Sequence, residues 1–430
     1  MKFVQFGCWN QKYCDMANSS TNPLSSVMKA LNAYTETEKP DMLIISGDNY
    51  YTEKIKIKNA KGKTEKKKII HLKDLIAGIQ CLPKQKGLEI NMILGNHDLE
   101  TQKEKSNNIF IEEIGDAYLE QKNCLILETE QKVVERLKKE TQQNFNYDFF
   151  LTRYDKATET LFLLLDTSIY DEDDAEDMLP CYQFFLSQKY SILNEIKTIS
   201  AIRALQRQLV LAAVAEYSDN CKRIIISGHH PIMSYKLKVN EEKPEKTRYE
   251  IIEGFPLFIE LLKEIHAAHQ QQEKIEYYYL CADLHLYQKG TISITNNSNK
   301  MDIQQYVVGT GGTELDLTPF DPAYAAYILE GQQLNPFEKG ITKTQGITKS
   351  MNGGEVIYRM TPADVEESNA NYGHGFLEAI IEKNNIQFTF MKVAALGGRI
   401  RKKIKKTKKT KKTKKQQRKS KHTRKNRYRF

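Results

Sequence analysis

The 430-residue sequence has no long apolar run, only one tryptophan and, from Gly397 to Phe430, no acidic residue. No run approaches the roughly 18 apolar residues that a membrane span requires, so we expect no membrane partner. The opening MKFVQFGCWN has too short an apolar run for a signal peptide, so we expect a chain that is not secreted. The seven cysteines are odd in number and scattered, which favours reduced thiols in a cytosol-like compartment.

The net charge of +9 combines two unlike parts of the chain. Of the 64 Lys and Arg residues, 19 lie in Gly397–Phe430, so 45 bases and 55 acids remain in residues 1–396, a net charge of −10. The last segment repeats Lys-Lys-Thr and has almost nothing to bury, so we predict a disordered tail, residues 397–430, after a globular domain, residues 1–396. Electrostatic contact of this tail with nucleic acid or another polyanion is favoured over a role in solubility or nuclear targeting alone.

Short apolar runs alternate with helical periodicity in the globular part, which predicts an α/β fold. The predicted buried strands are residues 41–48, 90–98, 161–167, 223–231, 277–285 and 305–312. The predicted helices are 25–34, 200–217 and 255–269, and a hairpin turns at residues 383–385. Three segments read as insertions, at about 52–73, 169–186 and 313–372.

Several predicted strands end in glycine followed by a chemically capable side chain. The corners are Gly47-Asp48, Gly95-Asn96-His97 and Gly228-His229-His230. Because sites of α/β proteins collect at the carboxyl ends of strands, these corners should meet. Their carboxylate, amide, imidazole, phenol and thiol groups suit divalent or trivalent transition metals. The candidate metal ligands are Cys8, Asp48, Tyr51, Asn96, His229, Asp283 and His285.

Taken in order, GDNYY, GNHD, GHHP and the final Asp283-Leu284-His285 corner resemble the motifs of calcineurin-like metallophosphoesterases. The purple acid phosphatase branch is the most similar, because Asp48 is followed three residues later by Tyr51. The likeness extends over most of residues 2–393 apart from the insertions. It implies a four-layer α/β/β/α sandwich of two mixed sheets, with the site where the sheets meet.

The resemblance also implies a dinuclear centre of two metal ions, Fe, Zn or Mn. His285 and Tyr51 would bind the first ion, Asp48 would bridge, and Asn96 and His229 would bind the second.

Two histidines would act on the substrate. The resemblance makes His97 the residue that touches the phosphate and assists the leaving oxygen as a general acid. His230 would line the phosphate pocket, or would only pack beside Pro231.

Two positions depart from the family pattern. Cys8 stands where the first motif supplies an aspartate, and Asp283 stands where the last motif supplies a histidine. Both replacements keep a donor atom that binds transition metals. Random replacement by Ala, Gly or Leu would not keep such an atom. We therefore expect an occupied site and favour catalysis over its loss.

Two functions follow from the sequence. The first is a phosphoric ester hydrolase that cleaves phosphomonoesters by attack of a metal-bridging hydroxide, with the tail for polyanion contact. The alternative is a weak or inactive phosphatase-fold protein that binds nucleic acid through its tail. Either would be intracellular, in cytoplasm or nucleus, and similar tails in large DNA viruses suggest virion association by analogy.

Overall fold

The computed structural model describes residues 1–18, 22–58, 64–100, 109–112, 118–120, 124–190, 196–238, 248–269, 275–296, 299–317, 346–351 and 354–393. The chain divides into two units, Met1–Val393 and Ala394–Phe430, and all described residues lie in the first. The basic tail therefore lies outside the described residues, and its boundary at residue 397 stays a prediction. No described helix is both long and apolar enough to cross a membrane.

The first large sheet has six strands in the order β20-β19-β1-β2-β5-β8. Its strands are β1 (Lys2–Phe6), β2 (Met42–Ser46), β5 (Glu89–Ile93), β8 (Phe145–Asp148), β19 (Gly375–Glu382) and β20 (Asn385–Lys392). The four strands from β1 to β8 are parallel, and the β19–β20 hairpin joins β1 antiparallel. The parallel strands therefore share one carboxyl edge.

The second large sheet has eight strands in the order β17-β18-β15-β16-β14-β11-β10-β9. Its strands are β9 (Phe150–Asp155), β10 (Thr160–Leu165), β11 (Arg223–Ser227), β14 (Glu276–Cys281), β15 (Tyr287–Asn296), β16 (Asn299–Val308), β17 (Gly346–Met351) and β18 (Gly354–Arg359). Strands β10, β11, β14 and β16 are parallel, and the others are antiparallel. Both large sheets are thus mixed.

Two small sheets and seven described helices complete the fold. The small sheets pair β12 (Met233–Lys238) with β13 (Arg248–Glu253), and join β3 (Glu53–Lys58), β4 (Thr64–Ile70), β6 (Ile109–Glu112) and β7 (Tyr118–Glu120). The helices are α1 (Pro23–Glu38), α2 (Leu72–Gln80), α3 (Leu125–Thr141), α4 (Ala175–Lys189), α5 (Ile199–Tyr217), α6 (Pro256–Ala267) and α7 (Pro362–Ala370). Helices α1 and α3 pack on the first large sheet and α5 on the second. The predicted four-layer sandwich is confirmed.

A buried apolar layer joins the two large sheets face to face. Phe3 of the first sheet and Phe162 of the second are fully buried, and their rings meet edge to face at 5.5 Å. Towards the carboxyl edges this layer becomes polar. The Gln5 amide donates to Ser46 Oγ at 2.7 Å, and Ser46 Oγ lies 2.9 Å from Ser227 Oγ. The strand ends of both sheets are therefore held together directly beneath the predicted site.

The three predicted insertions contain regular structure where they are described. Residues 52–73 hold β3, β4 and the start of α2, and residues 169–186 hold most of α4. Residues 313–372 contain β17, β18 and α7, while residues 318–345 and 352–353 lie outside the described part.

Four cysteines form disulfides, Cys14 with Cys81 and Cys124 with Cys181. The prediction of seven reduced thiols is therefore wrong for these four. The partners are 67 and 57 residues apart, and the fold brings them together because Cys81 ends α2 and Cys124 precedes α3. The remaining cysteines are buried and free: Cys8, Cys221 and Cys281.

Candidate metal centre

The predicted corners of both large sheets meet at their common carboxyl edge. Cys8, Asp48 and Asp283 follow strands β1, β2 and β14, and all three have positive φ angles of 53°, 52° and 51°. A positive φ is costly for a residue with a Cβ, and such residues persist where the surroundings fix them. Gly47, with φ 79°, permits the approach of the next corner, since a Cβ there would lie 2.8 Å from His229 Nδ1. Sharp turns thus aim three candidate ligands into one space.

Asp98 forms hydrogen bonds to two of these corners. This fully buried carboxyl accepts bonds from the Asn49 backbone and side chain, both at 2.7 Å, and from the Gly95 backbone at 2.8 Å. Burial, and the charges of Glu130 and Asp48, raise the pKa of Asp98 well above its usual value. The segment that follows β2 and the segment that follows β5 are therefore fixed to each other.

Asp48 lies at the middle of the cluster and is 2 % exposed. The Tyr51 hydroxyl donates to its Oδ2 at 2.5 Å, His229 Nε2 lies 3.2 Å from the same oxygen, and the His97 backbone donates to Oδ1 at 3.1 Å. Burial alone would raise the Asp48 pKa, but the charges of His229 and His97 outweigh it and lower the pKa below its usual value. Asp48 is therefore ionised at neutral pH, as a bridging ligand must be.

His229 presents one ring nitrogen to this carboxylate. Its Nδ1 lies 2.8 Å from the Ser46 carbonyl, which fixes the Nδ1–H tautomer and leaves Nε2 for the cluster. Burial lowers the His229 pKa, but Asp48 reverses this and raises it to about 10. The buried carboxylate thus favours a positive charge at Nε2, whether that charge is a proton or a metal ion.

Cys8 and Asp283, the two departures from the family pattern, both lie at the cluster. Cys8, Asp48 and His229 offer ligand atoms within 4.8 Å of one another, and so do His229, His230 and Asp283. Asp283 Oδ1 is 3.9 Å from His229 Nε2. Burial, with Asp48 nearby, raises the pKa of the Cys8 thiol, so this group needs a cation to become a thiolate at neutral pH.

Tyr51 connects Asp48 to His285. Its hydroxyl oxygen lies 3.0 Å from His285 Nε2, whose other ring nitrogen is 2.8 Å from the Glu314 carbonyl. Burial and the Asp48 charge raise the pKa of Tyr51 well above its usual value. Tyr51 and His285 therefore lie together beside Asp48.

Two buried atoms of the cluster are incompletely satisfied in hydrogen bonding. Within the described part of the chain, Asn96 Oδ1 has no hydrogen-bond partner, and His229 Nε2 contacts the Asp48 carboxylate at 3.2 Å. Buried polar atoms without partners are rare in proteins and often mark the place of an ion or water. Together with the carboxylates Asp48 and Asp283, these two atoms are donors of the kind that Zn, Mn and Fe take. The residues present therefore fit a metal centre.

His97 lies at the edge of the cluster and is tied to a residue that sequence reasoning missed. Its Nδ1 is 2.5 Å from Glu100 Oε1, and its ring packs on Tyr51 with centroids 4.5 Å apart. Glu100 is 2 % exposed and also pairs with Lys68 at 2.8 Å. Burial lowers the His97 pKa, but Asp48 and Glu100 raise it to about 9. The only signal in the sequence was a glutamate three residues after the histidine of GNHD.

His230 is oriented by Thr167, another residue missed from sequence. Thr167 Oγ1 accepts the backbone N–H groups of His229 and His230 at 3.1 and 2.9 Å, so its own proton points to His230 Nδ1, 3.0 Å away. Burial and the charge of His229 lower the His230 pKa to about 4. At neutral pH His230 is therefore an uncharged ring with Nε2–H as its donor.

Residues 1–252 match the calcineurin-like phosphoesterase family. The chain belongs to this family. Its members bind divalent metal ions and act on phosphate esters. The comparison with curated proteins gave no match.

Several solved structures are similar to this chain. GAP50, described as the anchor in the inner membrane complex of Plasmodium, is 12 % identical with a TM-score of 0.38, covering 92 % of this chain and 86 % of its own. PhoD is 12 % identical with a TM-score of 0.37 over 93 % and 73 % of the two chains. An archaeal phosphodiesterase is 12 % identical with a TM-score of 0.21 over 59 % and 100 %. None of the three TM-scores reaches 0.5, so the assignment of the chain to its family rests on the match to the family model.

Proposed function

We propose that the protein is a metal-dependent phosphoesterase that hydrolyses phosphomonoesters at the centre around Asp48. The observation that carries this proposal is the buried, unpartnered Asn96 Oδ1, together with His229 Nε2, which faces the ionised Asp48 carboxylate at 3.2 Å. A protein that had lost its metals would be expected to close such a gap with hydrogen bonds. Family membership supplies the class of reaction.

Two ions, Fe, Zn or Mn, would be held on either side of Asp48. Cys8, Tyr51 and His285 would bind one, and Asn96, His229 and Asp283 would bind the other. When bound, the ions would supply a water of lowered pKa and neutralise charge on the phosphate. The thiol of Cys8 would have to lose its proton on binding, so metal affinity should rise with pH.

His97 would deliver a proton to the leaving oxygen. With Nδ1 engaged by Glu100, the proton available for transfer is the one on Nε2. The raised pKa of about 9 keeps this proton in place at neutral pH, which a general acid requires. Because the ring also packs on Tyr51, its position is coupled to the ligand shell.

His230 would bind the phosphate of the substrate. Its ring is uncharged and its tautomer is set by Thr167, so it offers one N–H donor to an anion. The Tyr279 hydroxyl donates to the His230 carbonyl at 2.6 Å and holds this corner from the opposite side. A neutral donor adds affinity for phosphate without competing for the metal positions.

The test is turnover of p-nitrophenyl phosphate together with metal content. Asp48→Asn should lose both ions and turnover, whereas Asp219→Asn, an exposed control, should change neither. Full activity and two retained ions in Asp48→Asn would refute the bridging role.

A second candidate function is binding without catalysis. It is favoured by Cys8 and Asp283, since an extra anionic donor weakens the Lewis acidity of a bound metal. Metal content with no turnover of any phosphomonoester would support this candidate over the hydrolase.

The basic tail, residues 397–430, would contact nucleic acid or another polyanion in either case, because the rest of the chain has a net charge of −10. Replacing the tail lysines and arginines by glutamine in the full chain should weaken binding of DNA or RNA and lower its salt slope. Unchanged binding would show that the tail is not the contact.

The proposed location is cytoplasm, nucleus or virion. Disulfides are typical of proteins that fold in an oxidising environment, so such a location would require a dedicated oxidant.

A further inference from the structure

The β3–β4 hairpin carries a row of lysines on one of its two faces. In its antiparallel register Lys54 lies opposite Lys68, and Lys56 lies opposite Lys66. Residues opposite each other in an antiparallel pair share a face, and residues two apart on one strand do as well. The four residues therefore belong to one side of the hairpin, which we call the lysine face.

One end of the lysine face lies against the candidate catalytic residue. Lys68 Nζ pairs with Glu100 at 2.8 Å, and Thr52 Oγ1, just before β3, donates to the other Glu100 oxygen at 3.2 Å. Glu100 in turn contacts His97. Lys68 lies opposite Lys54 in the register, so the face runs outward from Glu100 along β3.

Among the side chains of the face that the structure describes, only that of Lys68, at the inner end, has its charge compensated. Lys68 is 7 % exposed and is paired with Glu100, whereas Lys54 and Lys56 are exposed. Among the described residues neither of these two makes an ion pair. Like charges placed directly opposite in a sheet destabilise it, so the pattern is explained best by an anion that binds there.

We infer that the lysine face binds the backbone phosphates of a single-stranded nucleic acid whose terminal phosphate occupies the site. This inference rests on the proposed function. Alternate residues of a strand lie about 6.8 Å apart, close to the spacing of neighbouring phosphates in an extended strand. An acidic peptide is less suitable, because the site at the inner end of the face already takes a phosphate.

The test measures competition in the full chain, with the tail unchanged. The 5′-phosphorylated oligonucleotide dT12 is titrated as an inhibitor of p-nitrophenyl phosphate turnover, and its inhibition constant is compared between Lys54→Gln/Lys56→Gln and the exposed control pair Lys84→Gln/Lys86→Gln. The first pair should weaken inhibition about tenfold at 0.1 M salt, and its salt slope should fall by about 1.4, since each single-strand phosphate contact contributes about 0.7. The control pair should behave as the unchanged chain.

Equal inhibition constants for the two pairs would overturn the inference. Equal inhibition by polyglutamate of the same charge would overturn the choice of nucleic acid. If the chain does not turn over aryl phosphate, the proposed function fails by itself, and the salt slope of dT12 binding measured by fluorescence anisotropy still decides the inference. If both pairs of variants then show the same salt slope of binding, the lysine face is not the surface that binds the nucleic acid.

Discussion

Removing the carboxylate that contacts His97 should change how the proposed hydrolase cleaves a substrate with a poor leaving group. Glu100→Gln alone would leave Lys68 buried without its anion, which costs roughly 3–5 kcal/mol of stability. We therefore pair it with Lys68→Gln, so that the buried charges disappear together. The double variant keeps polar side chains at both positions and should fold.

The size of the effect follows from the raised pKa of His97. Its rise from 6.5 to about 9 corresponds to roughly 3 kcal/mol in favour of the protonated ring. Burial opposes this rise, Asp48 is its largest source and Glu100 the next. We expect loss of the Glu100 charge and hydrogen bond, partly offset by loss of the Lys68 charge, to lower the His97 pKa by about one pH unit. Bound metal ions lower the pKa in both proteins, so the prediction concerns the difference between them.

The assay is the pH dependence of turnover for an alkyl phosphate and for p-nitrophenyl phosphate. A general acid works below its pKa and is lost as pH rises through it, so the alkaline limb should shift downward by about one pH unit in the variant. Turnover of the alkyl phosphate should fall about twofold at pH 8 and about tenfold at pH 10, and that of p-nitrophenyl phosphate much less, because nitrophenolate needs no proton to leave. An unchanged alkaline limb with an equal loss for both substrates would refute the role of Glu100.

Four further outcomes are expected. Cys8→Asp should remove sensitivity to mild peroxide, and inactivation at the same peroxide concentration as the unchanged chain would contradict this. Asp283→His should raise turnover and lower its pH optimum; a Cys8→Asp/Asp283→His variant that stays as slow as the unchanged chain at full metal occupancy would show that these residues do not limit catalysis. Burial raises the Glu130 pKa from 4.5 to about 8, so the free energy of unfolding should fall as pH rises through this range. In denaturant titrations at different pH values, Glu130→Gln should remove up to about 5 kcal/mol of that fall. The same pH dependence of unfolding in both proteins would contradict this. Denatured protein treated with a thiol-alkylating reagent should gain three alkyl groups by mass without reduction and seven after reduction. Seven groups without reductant would disprove the disulfides.

Much of the fold could be predicted from local sequence. The strands ending at Asp48, Asn96 and His229 are short, apolar and bounded by glycine, because a strand buried on both faces leaves a continuous apolar run in the sequence. The order of the four motifs then indicated the family. The corners were therefore found before the sheets that join them were known.

Contacts between distant segments could not be predicted. Thr167 meets His230 because β10 and β11 are neighbouring parallel strands whose carboxyl ends lie side by side, and Glu100 is held beside His97 by Lys68 of the β3–β4 hairpin. The sequence around a buried functional glutamate or threonine looks like that around many other such residues. Only the contacts in the folded structure show which histidine it serves. The same holds for Lys68, which the sequence placed in a polar insertion.

The cysteines show most clearly what sequence alone determined and what tertiary structure decided. Their number and scatter favoured reduced thiols, and only the packing of α2, α3 and their neighbours brings four of them into pairs. The sequence determined the ligand types, because the donor atoms of Cys8 and Asp283 are fixed by residue identity. The tertiary structure decided which donors share a space and which protons they hold, because distance and burial control both pairing and pKa.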